Sequence, residues 1–279
     1  PNFQLPSPNA KTIFQEVAMK RTLLVLALML TCSGCIHMST LITLKPDGSG
    51  TIDQEIGMNP QALSMLAAFG GNGRGMQQQP GRPDDIFNEQ KAREQAEKMG
   101  VKFVSGTPVD TPSLKGYRAR FSFDDIKSLK VRMEDARAMR GDSNSRQDPF
   151  DFEFAKRAST STLTIHIPQD VQRPPLAQLG GGNGQMSQEQ AQAMVAMMRP
   201  MFAGMFVDVS LAIDGRIVRT NAPFVDGNRI TLVQLDMDKV INDETAWTKL
   251  QNATTPADMR NILGVKVSTQ PTLTIEFGK

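Results

Sequence analysis

The chain has 279 residues, 39% of them hydrophobic and 22% charged, the balance of a globular protein rather than a disordered or fibrous one. Its 31 basic and 29 acidic side chains leave a net charge of +2, too small for the electrostatic footprint of a nucleic-acid binder. Two cysteines and two histidines exclude a disulfide scaffold and a histidine-rich metal centre, and no cofactor is expected.

Residues 1–18 precede any targeting signal and contain no Met, so they read as an over-extended gene start and stay outside the fold. Met19-Lys20-Arg21 is a short basic start, followed by an apolar run from Leu23 to Leu30 and by Thr31-Cys32-Ser33-Gly34-Cys35. A charged start, a short apolar centre and small residues before a cut make a secretory signal peptide over 19–34. The run is too short to span a bilayer, which needs roughly twenty apolar residues.

Ser33-Gly34-Cys35 resembles the lipobox of bacterial lipoproteins. The resemblance implies that Cys35 is thioether-linked to diacylglycerol, becomes the mature N-terminus and is acylated again. Cys32 stands where such boxes favour Leu, and cleavage by an ordinary signal peptidase is the alternative. Each buried methylene contributes about 0.8 kcal/mol, so two or three chains make the membrane a lasting partner. In a Gram-negative cell, Ile36 after the lipidated cysteine, rather than Asp, permits sorting to the outer membrane, facing the periplasm. Without 1–34 the chain keeps 28 basic and 28 acidic residues and no cysteine beyond Cys35, so its stability must come from a hydrophobic core.

Residues 35–279 read as one α+β envelope domain, a twisted antiparallel sheet built of hairpins with helices packed over one face. Apolar and polar residues alternate at 51–58, 117–123, 150–154, 163–167, 207–213 and 273–277, the period of strands with one packed and one wet face. Asp47-Gly48, Asp214-Gly215 and Asp226-Gly227 lie between such runs. They predict hairpins pairing 39–45 with 50–58, 205–213 with 216–220, and 216–224 with 228–235. Caps predict helices over 60–69 after Asn59-Pro60, over 85–99 between Asp84 and Gly100, and over 188–203 after Ser187-x-x-Gln190. Within 85–99, Glu89/Arg93 and Glu94/Lys98 are spaced for ion pairs. Shorter helices are expected over 239–250 and from Thr255 to near Gly264. Stretches 70–83, 140–148 and 172–185 are rich in Gly, Pro or polar residues and read as mobile loops.

Chemistry-bearing residues are sparse. His166 is predicted on the wet face of its strand. The carboxylate pairs Asp84-Asp85, Asp124-Asp125 and Asp236-x-Asp238 each precede a predicted helix, where acidic side chains cap free N–H groups. Methionine is the unusual signal: Met194, Met198, Met201 and Met205 recur at helical spacing with Phe202 alongside, and Leu66 and Phe69 stand on the helix at 60–69. These residues cover the sheet as core, or they line a groove for acyl chains or a partner helix.

The lipobox, the block Lys45-Pro46-Asp47-Gly48-Ser49-Gly50 between two strands, Gly116-Tyr117-Arg118-Ala119, Phe121-Ser122-Phe123-Asp124-Asp125-Ile126, and Asp214-Gly215-Arg216-Ile217 running into Thr220-Asn221-Ala222 together resemble LppM-like bacterial envelope lipoproteins. The blocks cover about a third of the mature chain. The resemblance implies an α+β envelope module, with lipid binding expected of some members and no catalytic residue to carry over. The function expected is therefore a lipid-anchored, non-catalytic interaction or structural module of the cell envelope with a lipid or envelope-protein partner. The alternatives are a lipophilic-ligand binder and, behind it, an enzyme.

Overall fold

The computed structural model describes residues 36–64, 87–130, 150–167, 202–253, 255 and 257–278. The expected loops at 70–83, 140–148 and 172–185, and all of the predicted helix 188–203 except its last two residues, lie outside them. The strands are β1 (Ile36–Leu44), β2 (Gly50–Met58), β3 (Lys102–Asp110), β4 (Lys115–Phe123), β5 (Asp151–Lys156), β6 (Thr160–His166), β7 (Phe206–Ile213), β8 (Arg216–Thr220), β9 (Val225–Asp226), β10 (Arg229–Asp236), β11 (Val265–Val267) and β12 (Thr272–Gly278). The helices are α1 (Glu89–Met99), α2 (Met237–Ile241) and α3 (Glu244–Asn252), and residues 60–64 are helical too.

Strands β11-β10-β7-β1-β2-β4-β3 form one sheet in that order, with β9 added on β10, and β5-β6-β12-β8 form a second. The α+β expectation holds in its main lines, since the pairings are antiparallel except one. That exception joins β1 to β7 in parallel, from His37 opposite Phe206 to Leu44 opposite Ile213. Both sheets feed one core. Ile42, Leu44, Ile52, Phe121, Leu211 and Ile213 of the large sheet and Leu163, Ile165, Leu273, Ile275 and Phe277 of the small one are buried together. Helix α1 adds Ala92, Ala96 and Met99 to this core, whereas α2 and α3 form a cluster of their own. A helical layer over one face is not established; a second sheet supplies much of the cover.

One of the three predicted hairpins stands as read. β1 pairs with β2 from Ile36 opposite Met58 to Leu44 opposite Gly50, turning at Asp47, whose carboxylate accepts the Ser49 N–H and O–H at 2.9 and 2.7 Å. The hairpin of 205–213 with 216–220 does not form. The chain changes sheets there, because β7 belongs to the large sheet while β8 pairs with β12 in the small one. Gly215 serves close approach instead of a hairpin: a Cβ on it would lie 2.4 Å from the Gly278 carbonyl oxygen. Nor does 216–224 pair with 228–235, since β10 takes only the short β9 across Asp226-Gly227 and then β7 on its other side.

The helices shift as well. Helix α1 begins at Glu89, with Asn88 accepting the Lys91 N–H at 2.9 Å, and it stops at Gly100 in the left-handed region, φ 73°. Glu89 pairs with Arg93 at 2.6 Å as its spacing predicts, but Glu94 takes Lys91, at 2.9 Å, rather than Lys98. The segment expected as one helix over 239–250 is two, broken where Asp243 caps α3 by accepting the Ala246 N–H at 2.7 Å. After Thr255 the described residues are turns rather than a helix, with Asp258 accepting the Thr255 N–H at 2.8 Å.

No buried side-chain nitrogen or oxygen among the described residues lacks a hydrogen-bond partner. On β7, Asp208 is 5% exposed and accepts from Arg229 Nη2 at 2.7 Å and Ser210 Oγ at 2.9 Å. Phe121 has no exposed surface and lies in the core both sheets share. Phe121→Ala is expected to cost about 3–5 kcal/mol, read as a lower urea midpoint at an unchanged slope.

Candidate functional site

Strand β1 opens at Ile36, the residue after Cys35, and runs between β7 and β2 in the middle of the large sheet. Cys35 itself lies outside the described residues. Along the strand Met38, Thr40, Ile42 and Leu44 are buried while the residues between them are half-buried, so its register is fixed by which face meets the core. At its first turn of pleat, His37 stacks on Phe206 with ring centroids 5.3 Å apart. His37 Nε2 also lies 4.0 Å from Glu55, a carboxylate held in turn by Arg118. A nine-residue strand rises about 3.3 Å per residue, which puts the Lys45–Ser49 turn roughly 30 Å from Ile36.

The end of the sheet at which β1 begins also carries α2 and α3. β10 reaches that end at Asp236, opposite Phe206, and Asp236 caps α2 by accepting the Lys239 N–H at 3.3 Å. Met237, Val240, Ala246, Trp247, Leu250 and Ile262 form a buried cluster, with Phe202 and Met205 packed against it. Phe202 lies 6.3 Å from Trp247 between ring centroids, tilted by 50°. The Met237 N–H donates to the Met205 carbonyl at 3.0 Å, and Asp238 accepts the Gly204 N–H.

Of the residues predicted for a groove, Met194, Met198, Met201, Leu66 and Phe69 lie outside the described residues. Phe202 and Met205 are half-buried and pack against α2 and α3. Sequence reasoning overlooked Trp247, the centre of this packing. Its signal was slight: one tryptophan in 279 residues, on a helix with Ala246 and Leu250 at the same face.

The polar candidates disperse. Asp84 and Asp85 lie outside the described residues. Asp125 caps the 3-10 turn Ile126–Ser128 by accepting the Lys127 N–H, and Asp124 pairs with Lys102 at 2.6 Å. His166 has Glu153 3.2 Å from Nε2 and Thr272 Oγ1 3.4 Å from Nδ1. A hydroxyl, an imidazole and a carboxylate in line invite comparison with a catalytic triad. Here they are cross-strand neighbours, His166 standing opposite both Asp151 and Thr272 in the ladder, with the imidazole 41% and Glu153 70% exposed. Cross-strand pairs of this kind contribute to the stability of a sheet. Burial moves one titration clearly, raising the Tyr117 phenol above its ordinary value. Among the described residues no helix is long and apolar enough to cross a membrane, and no three His, Cys, Asp or Glu side chains converge as metal ligands.

Trp247 is a built-in reporter for the cluster. Phe202→Ala is expected to cost about 2 kcal/mol, less than a fully buried Phe would, and to shift Trp247 emission to the red. Unchanged stability and emission would instead release Phe202 for contact with a ligand.

No protein-family profile matches the sequence, and no curated protein matches it either. Among solved structures the chain is similar to the folded domain of the LppM protein of Mycobacterium tuberculosis, at 10% identity and a TM-score of 0.34, over 88% of this chain and 91% of that one. The resemblance to LppM is therefore a loose one.

Proposed function

We propose that this chain is a lipoprotein of the bacterial cell envelope, acylated at Cys35 and acting as a non-catalytic interaction or structural module. One observation carries the reading: the first residue after the lipobox cysteine is already in the central strand of the sheet. An anchor attached there is joined to a strand laddered on both sides, so it holds the domain in one orientation instead of on a flexible tether. The end with α2 and α3 then faces the bilayer, and the Lys45–Ser49 turn faces away from it. In a Gram-negative cell the membrane is the outer one.

The non-catalytic half of the reading is supported by where the polar candidates go: into caps, ion pairs and a cross-strand contact. Packing of Phe202 and Met205 onto α2 and α3 favours core over groove for those two residues, which weakens the alternative of acyl-chain binding by the methionine helices.

Fractionation and intact mass test the anchor. Wild-type protein is expected with the membranes, carrying the mass of its acyl chains. Cys35→Ser is expected in the soluble fraction without that mass, and a Cys35→Ser protein that stays membrane-bound overturns the reading. The non-catalytic assignment is tested separately: His166→Ala is expected to leave fold and fractionation unchanged, and a hydrolase activity abolished by that change would replace it.

A further inference from the structure

At the end of β1 opposite Ile36, turns from both sheets enclose a cleft of about 650 Å³. Lys45, Pro46 and Asp47 of the β1–β2 turn form one wall, and Lys156 to Ser161 of the β5–β6 turn form the other, with Asp214, Phe277 and Gly278 between them. The walls are fastened to each other. Ser161 Oγ donates to the Pro46 carbonyl at 2.8 Å, and the Asp214 N–H donates to the Leu44 carbonyl at 2.8 Å. Within the second wall the Arg157 N–H bonds the Thr160 carbonyl at 2.8 Å, closing a tight turn.

The charges here differ from those elsewhere on the sheets. Arg118, Arg120 and Arg229 each sit against a carboxylate. In the cleft, Lys45, Lys156 and Arg157 have none within ion-pair distance among the described residues, and Arg216, in register with Gly278, adds a fourth cation at the same end. Two carboxylates line the cleft against them. Asp47 accepts the Ser49 N–H and O–H, which together with the Lys45 charge hold its carboxyl below the usual range and keep it ionised. Against Asp47 and Asp214 the three cations of the cleft leave one positive charge in excess, and Arg216 adds another. Ser159 and Thr160 bring hydroxyls to the same wall.

We propose that this cleft binds an acidic sugar, with Lys45, Lys156 and Arg157 contacting its carboxylate or phosphate and the Ser159 and Thr160 hydroxyls contacting the ring. A concave site of this volume is larger than a bare anion needs and takes one or two sugar rings. Its few cations are too local for the long track a nucleic-acid strand requires. That the sugar belongs to an envelope polymer rests on the anchored orientation proposed above, which points the cleft away from the membrane. The binding itself does not.

The test uses the full-length acylated protein in detergent, titrated calorimetrically with tetragalacturonate as the carboxylate source, glucose 6-phosphate as the phosphate source and maltotetraose as the uncharged control. Binding of either acidic probe is expected, with maltotetraose at least tenfold weaker. The double variant Lys156→Glu/Arg157→Glu is expected to lose at least tenfold in affinity while keeping the wild-type melting temperature. Lys98→Glu, on α1, is expected to bind as wild type does. Which acidic probe binds assigns the anionic group. Absence of binding to both, equal binding of maltotetraose, or equal losses in the Lys98 and cleft variants overturns the proposal. Because Cys35→Ser leaves the cleft intact, retained binding by that variant separates failure of the anchor from failure of the site.

Discussion

The structure depends on the pairing of β1 with two strands far apart in the chain. On one side lies β2, its neighbour across a tight turn; on the other lies β7, about 170 residues on. Without β1 the large sheet divides into a β2–β4–β3 part and a β10–β7 part. The strand is short on charge and rich in Ile, Leu, Met and Thr, as a strand flanked on both edges requires. The Lys45–Ser49 turn that ends it is then used again: Pro46 and Gly48 accept hydrogen bonds from Ser161 and Ile126, and a Cβ on Gly48, at φ 94°, would lie 2.9 Å from Phe154. One hairpin thus sets the register of the large sheet and the seat of the small one.

The sheet edges carry features that disfavour edge-to-edge pairing. β3, the long outer strand of the large sheet, carries Pro108, a lysine at its start and a register shift near Val104, features that spoil it as a template for edge-to-edge pairing. At the opposite side β11 has three residues. In the small sheet β5 is studded with Asp151, Glu153 and Lys156, and β8 has five residues with an arginine near either end.

What the sequence made legible was local. Alternation located strands at 51–58, 117–123, 207–213 and 273–277, because a half-buried strand must show its two faces in two-residue steps. Asn59 and Gly100 announced helix ends, since caps satisfy backbone groups within a few residues. Gly215 misled because glycine marks both tight turns and close backbone approaches, and only the position of Gly278 distinguishes them. The parallel β1–β7 pair had no signature at all: nothing in 36–44 names 206–213 as its partner. The candidate site divides similarly. Cys35 is marked as a candidate by its flanking residues, whereas nothing in the sequence marks the cleft, because Lys45, Lys156, Arg157 and Asp214 are brought together by tertiary packing alone.

The β1–β7 pairing also imposes an order of events on a chain that is made from its N-terminus. The β1–β2 hairpin can close as soon as residues 36–58 emerge, whereas the other edge of β1 waits until β7 has been synthesised. Over that interval an open, apolar edge is exposed, and long-range pairing of this kind is slow as well as vulnerable. Folding of this domain therefore places a premium on whatever shields that edge until its distant partner arrives.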